Sequence, residues 1–86
     1  MKNSKVGVIG FGYWGKNQAR VFHELGSLSG VYEENHNEIE DHKSKYNFFS
    51  SFEELLLNSD GVVICTPADT HFEIASTALE NKKDIL

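Results

Sequence analysis

Two stretches of the chain carry apolar side chains without polar alternation, residues 6–9 and residues 61–65. Unbroken runs of this kind are what a parallel strand covered on both faces requires. A third run, residues 28–32, reads as another strand ending at Glu33-Glu34-Asn35. Between the first and third runs the period changes to that of a helix. Trp14, Val21, Phe22 and Leu25 fall on one expected inward face, Lys16, Arg20 and Glu24 are left for solvent, and Gly26 is the natural stop. Residues 36–46 are mostly polar, and Ile39, Lys43 and Tyr46 could line only the thin apolar edge of a surface helix. Residues 47–49 predict a short strand. Ser51 to Glu54 has the form of a capping box opening a short helix with Phe52, Leu55 and Leu56 inward. Asn58-Ser59-Asp60 breaks that helix. After the 61–65 run, Asp69 or Thr70 caps a helix whose Ile74, Ala75, Ala78 and Leu79 form a stripe. Residues 84–86 begin a further strand. Strands and helices alternate with no internal repeat, so the expected fold class is α/β. The expected architecture is a parallel sheet with helices on both faces.

The first strand passes directly into Gly10-Phe11-Gly12-Tyr13-Trp14-Gly15. This is the spacing G-x-G-x-x-G set between a strand and a helix, the context that separates a dinucleotide-binding turn from a merely flexible loop. Gly10 permits the tight turn, Gly12 lets a pyrophosphate approach the backbone, and Gly15 lets the new helix pack closely on the sheet. The N–H groups of the first helical turn, near Tyr13 and Trp14, then face the phosphates, where the macrodipole favours negative charge. Ligands of open α/β sheets bind beyond the carboxyl ends of the strands, so Thr66 and Pro67 face the same crevice.

An acidic side chain about 20 residues beyond the glycines, at the end of the second strand, accepts hydrogen bonds from the adenosine ribose. Glu33 meets that offset, whereas Glu34, its neighbour in an extended segment, points the other way. A carboxylate there repels a 2′-phosphate, and no Arg or Lys stands between Glu33 and His42 to receive one. NAD is therefore expected rather than NADP. Glu53 and Glu54 sit in a first helical turn, where negative charge is stabilising, and read as structural. His36 and His42 lack the i, i+4 spacing of a zinc pair and are expected to be solvated, so no metal site is anticipated.

Composition narrows the field. Eighty-six residues hold one domain at most, with 40% hydrophobic residues and a net charge of −5. The acidic balance, with no basic run longer than Lys82-Lys83, argues against nucleic-acid binding. Cys65 is the single cysteine, so neither an internal disulfide nor a cysteine metal cluster can form. No apolar stretch approaches the roughly 20 residues of a membrane span. The first residues lead straight into a strand and leave no room for a signal peptide, which makes the cytoplasm the expected compartment.

The segments V-G-V-I-G-F-G-Y-W-G-K-N (residues 6–17), V-Y-E (31–33), F-E-E-L-L (52–56), V-V-I-C-T-P-A-D-T-H-F-E-I-A (62–75) and K-K-D-I-L (82–86) together resemble the N-terminal NAD(P)-binding domain of the glucose–fructose oxidoreductase / inositol dehydrogenase / MocA (Gfo/Idh/MocA) family. The resemblance implies a dehydrogenase that oxidises a secondary alcohol on a sugar, nucleotide sugar or cyclitol by hydride transfer to NAD(P). It implies that Gly10, Gly12, Tyr13 and Trp14 surround the pyrophosphate and that Glu33 holds the ribose. Cys65, Thr66, Pro67 and His71 would then line the nicotinamide side. Family members continue into an E-K-P segment with a catalytic lysine and a second, substrate-binding domain. By that comparison residues 1–86 are an incomplete dinucleotide-binding domain without its substrate domain: a truncated Rossmann-type parallel sheet, strand order 3-2-1-4 with or without a fifth-strand stub, with helices on both faces. It would bind cofactor without catalysing, and its unfinished strand and apolar face are expected to drive homo-oligomerisation. Two rival readings are a non-catalytic nucleotide-binding, sensor or interaction module and an S-adenosylmethionine-binding domain.

Overall fold

The computed structural model describes residues 4–35, 37, 39–66 and 83–85. The apolar runs form the strands β1 (Val6–Ile9), β2 (Leu28–Tyr32) and β3 (Gly61–Ile64), joined by β4 (Asp84–Ile85). Their order is β2-β1-β3-β4, and every pairing is parallel. Residues 47–49 add a single parallel bridge, Val31 to Phe48, on the far side of β2. Val31 N–H donates to the Asn47 carbonyl and its own carbonyl accepts from Phe49 N–H, both at 2.8 Å. The expected 3-2-1-4 order, with the fifth strand paired, is therefore the observed one.

Because side chains alternate across a strand, the sheet feeds two apolar layers. Val8 and Val31 meet Ala19 of α1 (Tyr13–Glu24) together with Phe11 and Ile39. On the opposite face Ile9 and Val62 meet Leu55 and Leu56 of α2 (Phe52–Leu57). These two layers fix the carboxyl ends of β1, β2 and β3 side by side, and the candidate site is built on those ends.

Helix α1 departs from the expected orientation. Its buried residues are Gly15 and Ala19, with Phe22 half-buried one turn on. Trp14, Val21 and Leu25 are 69%, 39% and 68% exposed. The reason is steric: the helix starts hard against the end of β1, and only small side chains fit at that spacing. The C-terminus behaves as expected. Gly26 takes φ +73. Its N–H donates to the His23 carbonyl and Ser27 N–H donates to that of Phe22, which closes the helix in a Schellman motif.

Helix α2 is capped by the Ser51 hydroxyl, which accepts from Glu54 N–H at 3.1 Å. The reciprocal bond is displaced by one residue, since the Glu54 carboxylate accepts from Ser50 N–H at 2.9 Å. Among the described residues of 36–46 the expected surface helix is not seen, and Glu40–His42 form a 3-10 turn. Ile39 is buried there, and His42 is half-buried rather than solvated. Its ring is stacked edge-on to Phe11 at 5.1 Å, and its Nδ1 is enclosed without a partner among the described residues. The expected helix after Asp69 lies outside the described residues.

Candidate dinucleotide site

Gly10 leaves β1 at φ +97, a conformation that L side chains rarely adopt. Its N–H donates to the Tyr32 carbonyl at 2.8 Å, which ties the turn to the end of β2. A Cβ at Gly10 would lie 2.9 Å from the Cys65 carbonyl carbon and oxygen. A Cβ at Gly15 would collide with the Gly10 carbonyl. Cys65 N–H donates to the Ile9 carbonyl at 2.7 Å. The end of β1, the start of α1 and residues 65–66 are thus pressed together, and two glycines permit it.

Gly12 is different. It is the N-cap of α1, with no side-chain cap bond, and a Cβ there would meet nothing within 4 Å. The first amides of α1 have no intrahelical acceptors, so this helix start opens on free space. Tyr13 and Trp14 flank it, 75% and 69% exposed, their rings edge to face at 5.4 Å.

The Glu33 carboxylate reaches back to this turn. Its Oε1 accepts from Phe11 N–H at 2.6 Å and its Oε2 from Asn35 N–H at 2.8 Å. Glu33 also lines an open groove of about 650 Å³ that runs past Lys43, Tyr46 and Phe48. Glu34 lines the same groove rather than pointing away, because the chain bends there and is no longer extended. Burial, then Glu34, Glu53 and Glu33 in that order, push the Tyr32 hydroxyl above its ordinary pKa. Burial likewise raises the Cys65 thiol. The Thr66 hydroxyl is enclosed without a hydrogen-bond partner among the described residues.

Of the residues singled out from the sequence, Gly10, Gly15, Cys65 and Thr66 are in mutual contact or adjacent, and Gly12, Tyr13 and Trp14 form the opening. Glu33 is joined to them through Phe11. Pro67 and His71 lie outside the described residues. Phe11 had no assigned role in the sequence reading, yet its ring is fully buried. It packs edge-on to His42 and Phe48 at 5.1 and 5.2 Å, and the Lys16 ammonium lies 5.7 Å from its centroid. The available signal was an aromatic residue inside a glycine turn, which is costly unless it is covered.

A parallel sheet whose first strand turns through glycines onto an open helix start, with an acid at the end of the second strand, is a Rossmann-fold NAD-binding domain. The chain belongs to the Gfo/Idh/MocA oxidoreductase family, whose NAD-binding Rossmann-fold model matches residues 4–86. It is 33% identical over 82 residues to UDP-N-acetylglucosamine 3-dehydrogenase from Acidithiobacillus ferrooxidans, spanning 93% of this chain and 26% of that protein. The solved structure of that enzyme, GnnA, superposes with a TM-score of 0.90 at 32% identity, covering 100% of this chain and 29% of the other. A 2-hydroxyacid dehydrogenase by name, from Schizosaccharomyces pombe, is 39% identical over 83 residues, 93% of this chain and 24% of that protein. The WlbA dehydrogenase of Bordetella pertussis, solved with NADH and UDP-GlcNAcA, shares the fold at 21% identity and a TM-score of 0.82, over 98% of this chain and 28% of its own. The chain therefore spans about a quarter of the length of these proteins. Among the described residues no helix is long and apolar enough to cross a membrane.

Proposed function

We propose that this chain is the cofactor-binding part of a dehydrogenase that oxidises a secondary alcohol on a sugar, nucleotide sugar or cyclitol. The observation that carries the reading is the open helix start at Gly12, with nothing within 4 Å of a Cβ position and the Glu33 carboxylate held alongside the turn. The residues fit the cofactor: the amides after Gly12 would hold the pyrophosphate, and Glu33 would face the ribose hydroxyls. Tyr13 and Trp14 would flank the phosphates. Cys65, Thr66, Pro67 and His71 would stand toward the nicotinamide, an assignment that rests on the family resemblance. When bound, NAD supplies the hydride acceptor. The similarity to UDP-N-acetylglucosamine 3-dehydrogenase favours a nucleotide sugar as the substrate.

NAD is favoured over NADP because a carboxylate occupies the ribose position. The next cation along the groove, Lys43, has its ammonium 3.1 Å from a Glu40 carboxylate oxygen. In this reading residues 1–86 hold cofactor, and none of them is assigned the abstraction of the substrate hydroxyl proton. The same reading gives a protein of the cytoplasm that assembles as a homo-oligomer, which light scattering of the purified chain at high concentration tests. Titration with NADH, read as energy transfer from Trp14 to the reduced nicotinamide, tests the cofactor. A saturable NADH response stronger than that to NADPH is expected. A response to S-adenosylmethionine with none to NADH would overturn the reading.

A further inference from the structure

The turn between β1 and α1 is packed against residues 65–66 at Gly10 and opens on free space at Gly12. Gly10 sits at φ +97 and Gly12 touches nothing through a Cβ position. Phe11, between them, is held at two points: its ring is buried in the layer beneath α1, and its N–H donates to Glu33 Oε1 at 2.6 Å. The other carboxylate oxygen accepts from Asn35 N–H at 2.8 Å, so both oxygens of Glu33 are engaged by backbone amides. Glycine-flanked backbone has no strong preference for one conformation, and the bond to a charged acceptor is of the stronger kind.

We propose that Glu33 is a positioning residue for the phosphate-binding turn, latching it through Phe11 N–H so that the amides of α1 stand ready for a diphosphate. This goes beyond a ribose contact, and it rests on the NAD-binding reading above. The latch acts through the backbone N–H of Phe11, the residue before Gly12. Removing the carboxylate frees the Phe11 amide and loosens the turn even for a ligand that offers Glu33 nothing to hold.

The test is a cycle in the full chain. Wild type, Glu33→Ala and Glu33→Gln are each titrated with NADH and with an NADH analogue whose adenosine ribose lacks both hydroxyls. The latch predicts that Glu33→Ala weakens the dideoxy analogue about tenfold, the loss of one charge-assisted hydrogen bond. Glu33→Gln, which keeps an acceptor for Phe11 N–H, recovers much of that loss. Unchanged affinity of Glu33→Ala for the analogue overturns the proposal, because a residue acting only through the ribose has no effect there. Amide hydrogen exchange of the cofactor-free chain is the second measurement. Phe11 exchange speeds up about tenfold in Glu33→Ala while β1 keeps its protection, and equal protection in both proteins also overturns the latch. A wild-type chain that ignores NADH refutes the cofactor reading instead, and the exchange experiment still decides the latch.

Discussion

Gly15 and Gly12 belong to the same motif but answer to different constraints. At Gly15 a methyl group would strike the Gly10 carbonyl, a backbone atom that cannot swing aside. Gly15→Ala should therefore lower folding stability by about 1–3 kcal/mol, the usual cost of overpacking, as read by denaturant unfolding. At Gly12 the same methyl meets open space, so its cost should appear in ligand binding. Phe11 is the complementary case. Its fully buried ring is expected to contribute about 3–5 kcal/mol, lost in Phe11→Ala. Two titrations add a pH signature. Burial raises the Cys65 thiol above its ordinary 9.0, and burial together with Glu34, Glu53 and Glu33 raises the Tyr32 hydroxyl above 10.0. In each case the folded protein keeps a proton that the unfolded chain has already lost. Stability should thus be complete below the ordinary values and fall as pH rises through them toward the raised ones. Unfolding midpoints across the alkaline range check this, and a flat profile would contradict it.

The helices show where local pattern stops being enough. Judged by side-chain size, α1 should bury Trp14, Val21 and Leu25. In fact it buries Gly15 and Ala19, since close approach to β1 selects small residues and leaves the large ones outside. Leu25→Ser should accordingly change stability by no more than about 0.5 kcal/mol, where an inward leucine would cost several times that. Helix α2 was legible because its signals are local. The Ser51 cap and the Leu55-Leu56 pair lie within one turn of each other and need no knowledge of the sheet. Ser51→Ala should cost about 1 kcal/mol, measured in the same unfolding experiment.

At the scale of the whole molecule, the sheet order and the convergence of the glycine turn with Glu33 and Cys65-Thr66 were readable in the sequence. Continuous apolar runs mark parallel strands, and the glycine spacing marks the passage from the first strand into its helix. The bond from Phe11 N–H to Glu33, the burial of Phe11 and the enclosure of His42 were not readable. Each joins residues 22 or more positions apart, and only the completed crossover brings them together. The fold then has a simple functional logic: two packed layers hold three strand ends level, and the space above them is left free of side chains at one glycine. That open space is the central claim, and NADH titration of Gly12→Val tests it most directly. The variant should retain the far-UV circular dichroism of the parent and lose no more than about 1 kcal/mol of stability, the cost of a poorer N-cap. Its NADH affinity should fall at least about tenfold, the equivalent of about 1.4 kcal/mol. A folded Gly12→Val protein that binds NADH as tightly as the parent would contradict the account.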